Sequence, residues 1–196
     1  MNTSIRRRVL ACFVLALAGS TVVMAKDMAV PLSVNNAHPN APAEVKQYGS
    51  LRGHWQCEAS AKQPDGSWKE SPGLASWSWY YVLDGFAVQD VWQPAAASSP
   101  MGTNLRTYDA ENNRWNMVWV TQTQAEFDHY TATYSDGMIV MRGDNPSRTK
   151  GVPAHAAKIT FYNMTERHFD WKYEATAPAT DSGWSEFSRM SCSRKS

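Results

Sequence analysis

After its first 25 residues, the sequence lacks a basic run and a thiol redox motif, and after residue 50 it lacks any sustained helical period. Its 19 Lys and Arg are nearly balanced by 18 Asp and Glu, which gives a formal net charge of +1. Because positive charge is not clustered, nucleic acid is not expected as a partner. There is no C-x-x-C pair and no pair of histidines at chelating spacing, so neither a redox site nor a zinc site is predicted. No G-x-S-x-G motif or Cys–His arrangement indicates nucleophilic catalysis.

The first 25 residues have the pattern of an export signal. Three arginines at positions 6–8 precede an apolar run from Val9 to Ala25, which ends in Val-Met-Ala. This order is typical of a signal peptide cleaved after Ala25, and a run of about 17 residues is short for a membrane span. An uncleaved membrane anchor is the alternative. We therefore predict a signal peptide over 1–25 and a periplasmic or secreted protein with no membrane span after cleavage.

The rest of the chain predicts a short lead-in followed by one β domain. Residues 26–43 are rich in Pro, Ala and Asn and show no period, which is typical of a flexible segment. Within the domain, 44–196, short runs of alternating apolar and polar residues are separated by turn signals. Asp84-Gly85 and Asp136-Gly137 each join two such runs, and these dipeptides favour two-residue hairpins. The pattern predicts about ten antiparallel strands in sequential order.

Alternation along the strands shows which face is buried. In FDWKYE, residues 169–174, the aromatic side chains share one face and the charged side chains share the other. A long antiparallel meander with one buried face must close into a barrel or split into two sheets. We therefore predict an all-β fold, a single up-and-down antiparallel β-barrel.

Two cysteines link the ends of the predicted domain. Cys57 lies on the first strand and Cys192 on the last, and two thiols in an exported protein most simply form one disulfide. If the two strands pair antiparallel with these cysteines opposite each other, Trp55 faces Arg194. The guanidinium then lies against the indole, and Gly53 leaves space beside this contact.

The order of motifs along the chain resembles a known family of barrels. The motifs are LRGHW (51–55) after a short helical turn, DGSW (65–68), VLDGFAVQDVW (82–92), LRTYDAENNRWNMVW (105–119), FDW (169–171) and the terminal RMSCSR (189–194). They resemble the bacterial domain-of-unknown-function branch of the lipocalin-like (calycin) proteins. The resemblance implies a barrel with one open end and a small-molecule cavity, and it implies no catalytic residue.

Polar residues on the predicted inner faces are candidates for the site. Asp90 and Arg106 lie on neighbouring strands, and a buried carboxylate needs such a partner. His129 alternates with Phe127 and is placed on the inner face by that pattern. A structural ion pair and a histidine satisfied in the core are the alternative interpretation. The predicted ligand-binding residues are Trp79, Asp90, Trp92, Arg106, Trp119, His129 and Trp171.

Three functions are consistent with these residues. The first is an exported protein that binds a small apolar or amphipathic molecule in a Trp-rich cavity, with Asp90 and Arg106 fixing its polar end. The second is an isomerase, cyclase or hydrolase that uses Asp90 or His129 as acid or base in the same cavity. The third is a scaffold barrel of the cell envelope that interacts through its loops.

No cofactor or metal is predicted from the residues themselves. The family resembled includes haem-binding barrels, and this implies His129 or His168 as an alternative iron ligand.

Overall fold

The computed structural model describes residues 32–145, 154–176 and 183–195. A 3₁₀ helix, Ala43–Leu51, precedes eleven strands in these ranges. The first six strands are β1 (Gly53–Lys62), β2 (Trp68–Glu70), β3 (Ala75–Val82), β4 (Ala87–Gln93), β5 (Gly102–Asp109) and β6 (Arg114–Thr121). The remaining strands are β7 (Asp128–Ser135), β8 (Met138–Asn145), β9 (His155–Tyr162), β10 (His168–Thr176) and β11 (Ser185–Arg194).

The strands form one closed antiparallel barrel. From β3 to β11 each strand pairs with the next along the chain, and β1 pairs with both β3 and β11. The short strand β2 pairs with β1 on the same edge as β3, since Glu70 faces Ser60 and Ala75 faces Cys57. The barrel therefore has ten strands and one extra strand, which confirms the predicted all-β barrel.

The two terminal strands pair in the predicted register. Cys57 faces Cys192 and Trp55 faces Arg194. The cysteines form a disulfide across a sequence separation of 135 residues. By the loop-entropy model, a cross-link of that span stabilises the fold by about 5 kcal/mol. The barrel is thus closed by both hydrogen bonds and a covalent bond.

Arg194 joins the last strand to the chain before the first strand. Its guanidinium carbon lies 4.4 Å from the ring centroid of Trp55. Nη1 donates to the carbonyl of Arg52 at 2.6 Å, and Nη2 donates to that of Ser50 at 2.8 Å. Gly53 has a φ of +113°, and a Cβ there would lie 2.6 Å from Nη1. A glycine is needed at this position for both reasons.

The 3₁₀ helix closes one end of the barrel. Its three-residue period places three apolar side chains on one face, and all three are buried: Val45, Tyr48 and Leu51. Gln47 on the same helix accepts a hydrogen bond from the indole of Trp115 at 2.9 Å. Because β1 begins directly after this helix, the closed end is the one where β1 starts and β11 finishes.

The described part of the predicted lead-in contacts the barrel. Val34 donates its N–H to the carbonyl of Tyr81 at 2.9 Å, and His38 donates to that of Gly85 at 3.1 Å. The described part of the lead-in is therefore bound to the barrel, whereas the sequence predicted a flexible segment. The predicted signal peptide, 1–25, lies outside the described residues. In the part of the chain that is described, no helix is long and apolar enough to cross a membrane.

One of the two predicted Asp-Gly hairpins is longer than expected. Asp136 and Gly137 form a two-residue turn between β7 and β8, with φ values of 52° and 75°. Leu83–Gly85 forms a 3₁₀ turn, and the ladder resumes only where Val82 faces Ala87. Because Val82 faces Ala87, the loop holds the four residues 83–86 and not two. Its first three residues all have positive φ.

Candidate ligand-binding site

A cavity of about 370 Å³ occupies the barrel at the end opposite the 3₁₀ helix. Its lining includes Trp92 and Trp119 near the ends of β4 and β6, and Asn104 and Tyr130 near the starts of β5 and β7, which all lie at this end. The wall residues used below are Trp77, Trp92, Arg106, Trp119, Tyr130 and Trp171. Because the helix fills the other end, the residues that the structure describes leave the cavity open only at the end where β1 finishes and β11 begins.

Four indoles contribute to the apolar wall. The ring centroids of Trp77 and Trp92 are 5.0 Å apart at an interplanar angle of 67°, and those of Trp77 and Trp171 are 6.3 Å apart. Trp77 is buried, whereas Trp92, Trp119 and Trp171 are half-buried. The half-buried indoles therefore mark the mouth, and Trp77 lies deeper. Crossed aromatic faces of this kind suit a planar, mainly apolar molecule.

Two glycines make room for aromatic rings in the wall. A Cβ on Gly102 would lie 2.2 Å from Cη2 of Trp119, so the indole lies directly on the β5 backbone. A Cβ on Gly143 would lie 2.6 Å from the ring of Tyr130. The shape of the cavity thus depends on the absence of a side chain at two strand positions.

A buried ion pair lies at the floor of the cavity. Asp90 and Arg106 come from the neighbouring strands β4 and β5, and Nη2 lies 2.5 Å from Oδ2 with both side chains fully buried. Asn104 donates from Nδ2 to the two carboxylate oxygens of Asp90 at 3.3 and 3.2 Å. The guanidinium carbon lies 4.5 Å from the Trp79 ring centroid and 5.2 Å from that of Tyr48. The arginine is therefore held by a carboxylate and two aromatic rings.

Two polar side chains of the floor line the cavity. Arg106 and Asn104 line it, whereas Asp90 and Trp79 lie beneath and do not. Among the described residues, Nε and Nη1 of Arg106 and Nε1 of Trp77 have no hydrogen-bond partner. These N–H groups are almost inaccessible to solvent.

Tyr48 supports the floor from below. Burial raises the pKa of Tyr48 from about 10 to about 12, with a further, smaller rise from the charge of Asp90 and an opposing effect of Arg106. The phenol of Tyr48 therefore stays neutral below a pH of about 12. Among the described residues, Asp90 and Arg106 are the only charged side chains that are fully buried.

The structure places six of the seven predicted ligand-binding residues inside the barrel and one outside. Trp92, Arg106, Trp119 and Trp171 line the cavity, and Asp90 and Trp79 are buried under it. The inner-face placement of His129 is wrong.

His129 is exposed because Asp128 and Tyr130 take the inner positions on either side of it. Phe127, from which the parity was inferred, precedes the strand and is 54% exposed. His168 also points away from the cavity and lies 3.1 Å from a carboxylate oxygen of Asp170.

Sequence reasoning missed a polar cluster at the mouth. Tyr130 Oη donates to Asn145 Oδ1 at 2.9 Å, and Asn145 Nδ2 donates to Tyr173 Oη at 3.0 Å. Tyr173 Oη lies 2.6 Å from Nε2 of His155, and burial raises the pKa of the Tyr173 phenol. Alternation placed Tyr173 on the inner face, but nothing in the sequence indicated that Asn145 and His155 would meet it. In the described ranges, no group of three or more His, Cys, Asp or Glu could hold a metal ion.

Solved structures similar to this chain share its fold at low sequence identity. One is Rv2717c from M. tuberculosis, with a TM-score of 0.56 and 11% identity over 80% of this chain and 100% of that one. Another is the S-type phycobiliprotein lyase CPES from Guillardia theta, with a TM-score of 0.50 and 11% identity over 76% and 90%. No family model and no curated protein matches the chain. These neighbours fit the predicted calycin-like fold, and membership of the domain-of-unknown-function branch stays a prediction.

Proposed function

We propose that this protein is an exported binding protein that holds a small, mainly apolar molecule inside its barrel. The observation that carries the proposal is the cavity of about 370 Å³ with four indoles in its wall, a volume within the range of small-molecule sites. Trp92, Trp119 and Trp171 at the mouth are accessible to an incoming molecule. The closed end leaves no second exit for a bound one.

The disulfide supports export. Cys57 and Cys192 are both fully buried and bonded, and structural disulfides persist in oxidising compartments. This agrees with the signal peptide predicted from residues 1–25. A periplasmic or secreted location is thus part of the proposal.

The geometry favours binding over catalysis. Both carboxylate oxygens of Asp90 accept a hydrogen bond from Asn104, one of them also pairs with Arg106, and the residue does not reach the cavity. His129 lies on the outer surface. The two groups considered as acid or base are therefore not placed to act on a bound molecule. The neighbour named as a phycobiliprotein lyase supports the fold alone at 11% identity.

Binding of N-phenyl-1-naphthylamine, an apolar dye whose emission rises in apolar surroundings, tests this function. Ser188 lines the cavity and Ser191 is exposed on the same strand. We expect saturable binding to the unmodified protein, at least tenfold weaker binding to Ser188→Phe, which fills part of the cavity, and unchanged binding to Ser191→Phe. Absence of binding, or equal binding to both variants, would contradict the proposal.

A further inference from the structure

The geometry points to a ligand that carries an uncharged hydrogen-bond donor, such as a hydroxyl or an N–H group, at the end that lies deepest in the cavity. This inference rests on the proposed binding function and specifies which molecules the site prefers. The donor contacts the side-chain amide oxygen of Asn104 at the cavity floor. The apolar body of the ligand packs against the indoles of the wall.

The side-chain amide of Asn104 is held in one orientation. Its Nδ2 lies 3.3 and 3.2 Å from the two carboxylate oxygens of Asp90. An ionised carboxylate accepts hydrogen bonds and donates none, so the amide nitrogen must face Asp90 and Oδ1 faces away from it. Asn104 lies between Asp90 on one neighbouring strand and Trp119 on the other. The amide oxygen is therefore on the side of Trp119, which lines the cavity.

Oδ1 of Asn104 is a polar atom of the floor that a bound molecule can reach. Asn104 lines the cavity, and no group of the described residues donates a hydrogen bond to its Oδ1. The unpartnered N–H groups of Arg106 and Trp77 are almost inaccessible, whereas this oxygen is not among such atoms. An amide oxygen covered by a ligand loses its hydrogen bonds to water, which is costly, and a hydroxyl or N–H on the ligand removes that cost.

Two hydroxyl groups in the cavity lining also direct their hydrogens to protein oxygens. Ser188 Oγ donates to the carbonyl of Ser60 at 3.2 Å, and Tyr130 Oη donates to Asn145 Oδ1 at 2.9 Å. A hydroxyl has a single hydrogen and two lone pairs. A ligand that contacts either oxygen is therefore expected to donate to it and not to accept from it, which agrees with the preference at the floor.

The distribution of charge excludes a cationic donor. The carboxylate of Asp90 is already paired with Arg106, with Oδ2 and Nη2 2.5 Å apart, and no Asp or Glu is among the described residues that line the cavity. An ammonium group would bring a positive charge into the site with no carboxylate left to balance it, and burying an unbalanced charge is strongly unfavourable. A hydroxyl donates the same hydrogen bond without adding charge.

The test uses four naphthalene derivatives that differ in one small substituent on the same ring carbon. 2-Naphthalenemethanol ends in a hydroxyl, its isomer 2-methoxynaphthalene has an oxygen that only accepts, 2-ethylnaphthalene has no polar atom, and 2-naphthylmethylamine ends in an ammonium group at neutral pH. Displacement of N-phenyl-1-naphthylamine measures their affinities. We expect the alcohol to bind about tenfold more tightly than its isomer, the typical effect of one good hydrogen bond, and the amine to bind more weakly than the alcohol.

Apolar contact alone predicts the opposite order for the two isomers and the ethyl compound. Transfer from water into an apolar cavity favours the ethyl compound most and the alcohol least, because burial of a hydroxyl without a partner is costly. Tighter binding of the alcohol than of its isomer therefore requires an acceptor in the site. This comparison uses the unmodified protein and does not depend on the stability of any variant.

Two asparagine variants form a matched pair. Asn104→Leu removes the acceptor at the floor. Asn116→Leu makes the same change outside the cavity lining, on β6, where Asn116 also donates to a carboxylate, Oδ2 of Asp109, at 3.4 Å. The ratio of affinities for the alcohol and its isomer should fall severalfold in Asn104→Leu and stay unchanged in Asn116→Leu. Using a ratio cancels changes in apolar contact, which both isomers share.

The failure of the inference differs from the failure of the function. If neither N-phenyl-1-naphthylamine nor any of the four compounds binds, both are wrong. If the two isomers bind equally, if the ether or the amine binds more tightly than the alcohol, or if the two asparagine variants keep or lose the preference to the same extent, the inference is overturned. The binding function then stands.

Discussion

Removing either member of the Asp90–Arg106 pair should destabilise the barrel more than removing both. Asp90→Asn leaves an arginine without its counter-ion, and Arg106→Met leaves a carboxylate without its cation. The double variant contains neither charge. The comparison separates the cost of an unbalanced charge from the net contribution of the pair to stability.

The magnitude follows from the geometry. Both side chains are fully buried, with Nη2 and Oδ2 2.5 Å apart, and breaking such a buried pair costs about 3–5 kcal/mol. For a chain of this size, about 2–4 °C of midpoint temperature is lost per kcal/mol, so each single variant should melt about 6–20 °C lower. A pair replaced by uncharged groups costs far less, and we expect under about 3 kcal/mol for the double variant.

Urea unfolding followed by tryptophan fluorescence, with the disulfide intact, measures these values. The slope of the unfolding free energy against urea should stay constant, so that changes in midpoint report stability. A double variant that loses the sum of the two single effects would refute the reasoning, because the two charges would then not be coupled. Single variants that each lose under about 1 kcal/mol would refute the burial argument.

Two further predictions concern the closed end of the barrel. Gly53→Ala should lower the free energy of unfolding by at least about 1 kcal/mol more than Gly66→Ala. Both positions have positive φ, but only a Cβ at position 53 would contact the Arg194 guanidinium, at 2.6 Å. Urea unfolding of both variants measures the difference, and equal losses would contradict the argument that the Cβ is crowded. The neutral phenol of Tyr48 is favoured in the fold, where its pKa is about 12 against about 10 in the unfolded chain. The folded state therefore binds more protons than the unfolded state between pH 10 and pH 12. The stabilisation from the neutral phenol is complete below pH 10, and the free energy of unfolding should fall by about 1.4 kcal/mol per pH unit as the pH rises from 10 to 12. Urea midpoints measured over this range should show a steeper fall than in Tyr48→Phe, and identical slopes would show that the phenol stays exposed.

The sequence predicted the barrel and its closure because the alternating strand faces and the cysteine pair are each compatible with few structures. Alternating faces leave a sheet with one apolar side, which must close or be covered. The pairing of Cys57 with Cys192 then determines the register of the terminal strands, so the position of Trp55 opposite Arg194 follows from it.

The site was predicted only in part, because the alternation of inward and outward side chains does not extend to residues that precede a strand. Phe127 is apolar but lies before β7, so the side of the sheet assigned to His129 was reversed. The meeting of Asn145 with Tyr130 and Tyr173 depends on three strands and their register, which no local pattern contains. The buried N–H groups at the floor that have no hydrogen-bond partner among the described residues can likewise be recognised only from side-chain positions.

A crystal structure of the protein with N-phenyl-1-naphthylamine bound would test the central claim most directly. The account predicts that the dye lies inside the barrel, in contact with Trp92, Trp119 and Trp171 and above Arg106. A dye bound only on the outer surface near His129, or a barrel interior filled by protein side chains, would contradict it.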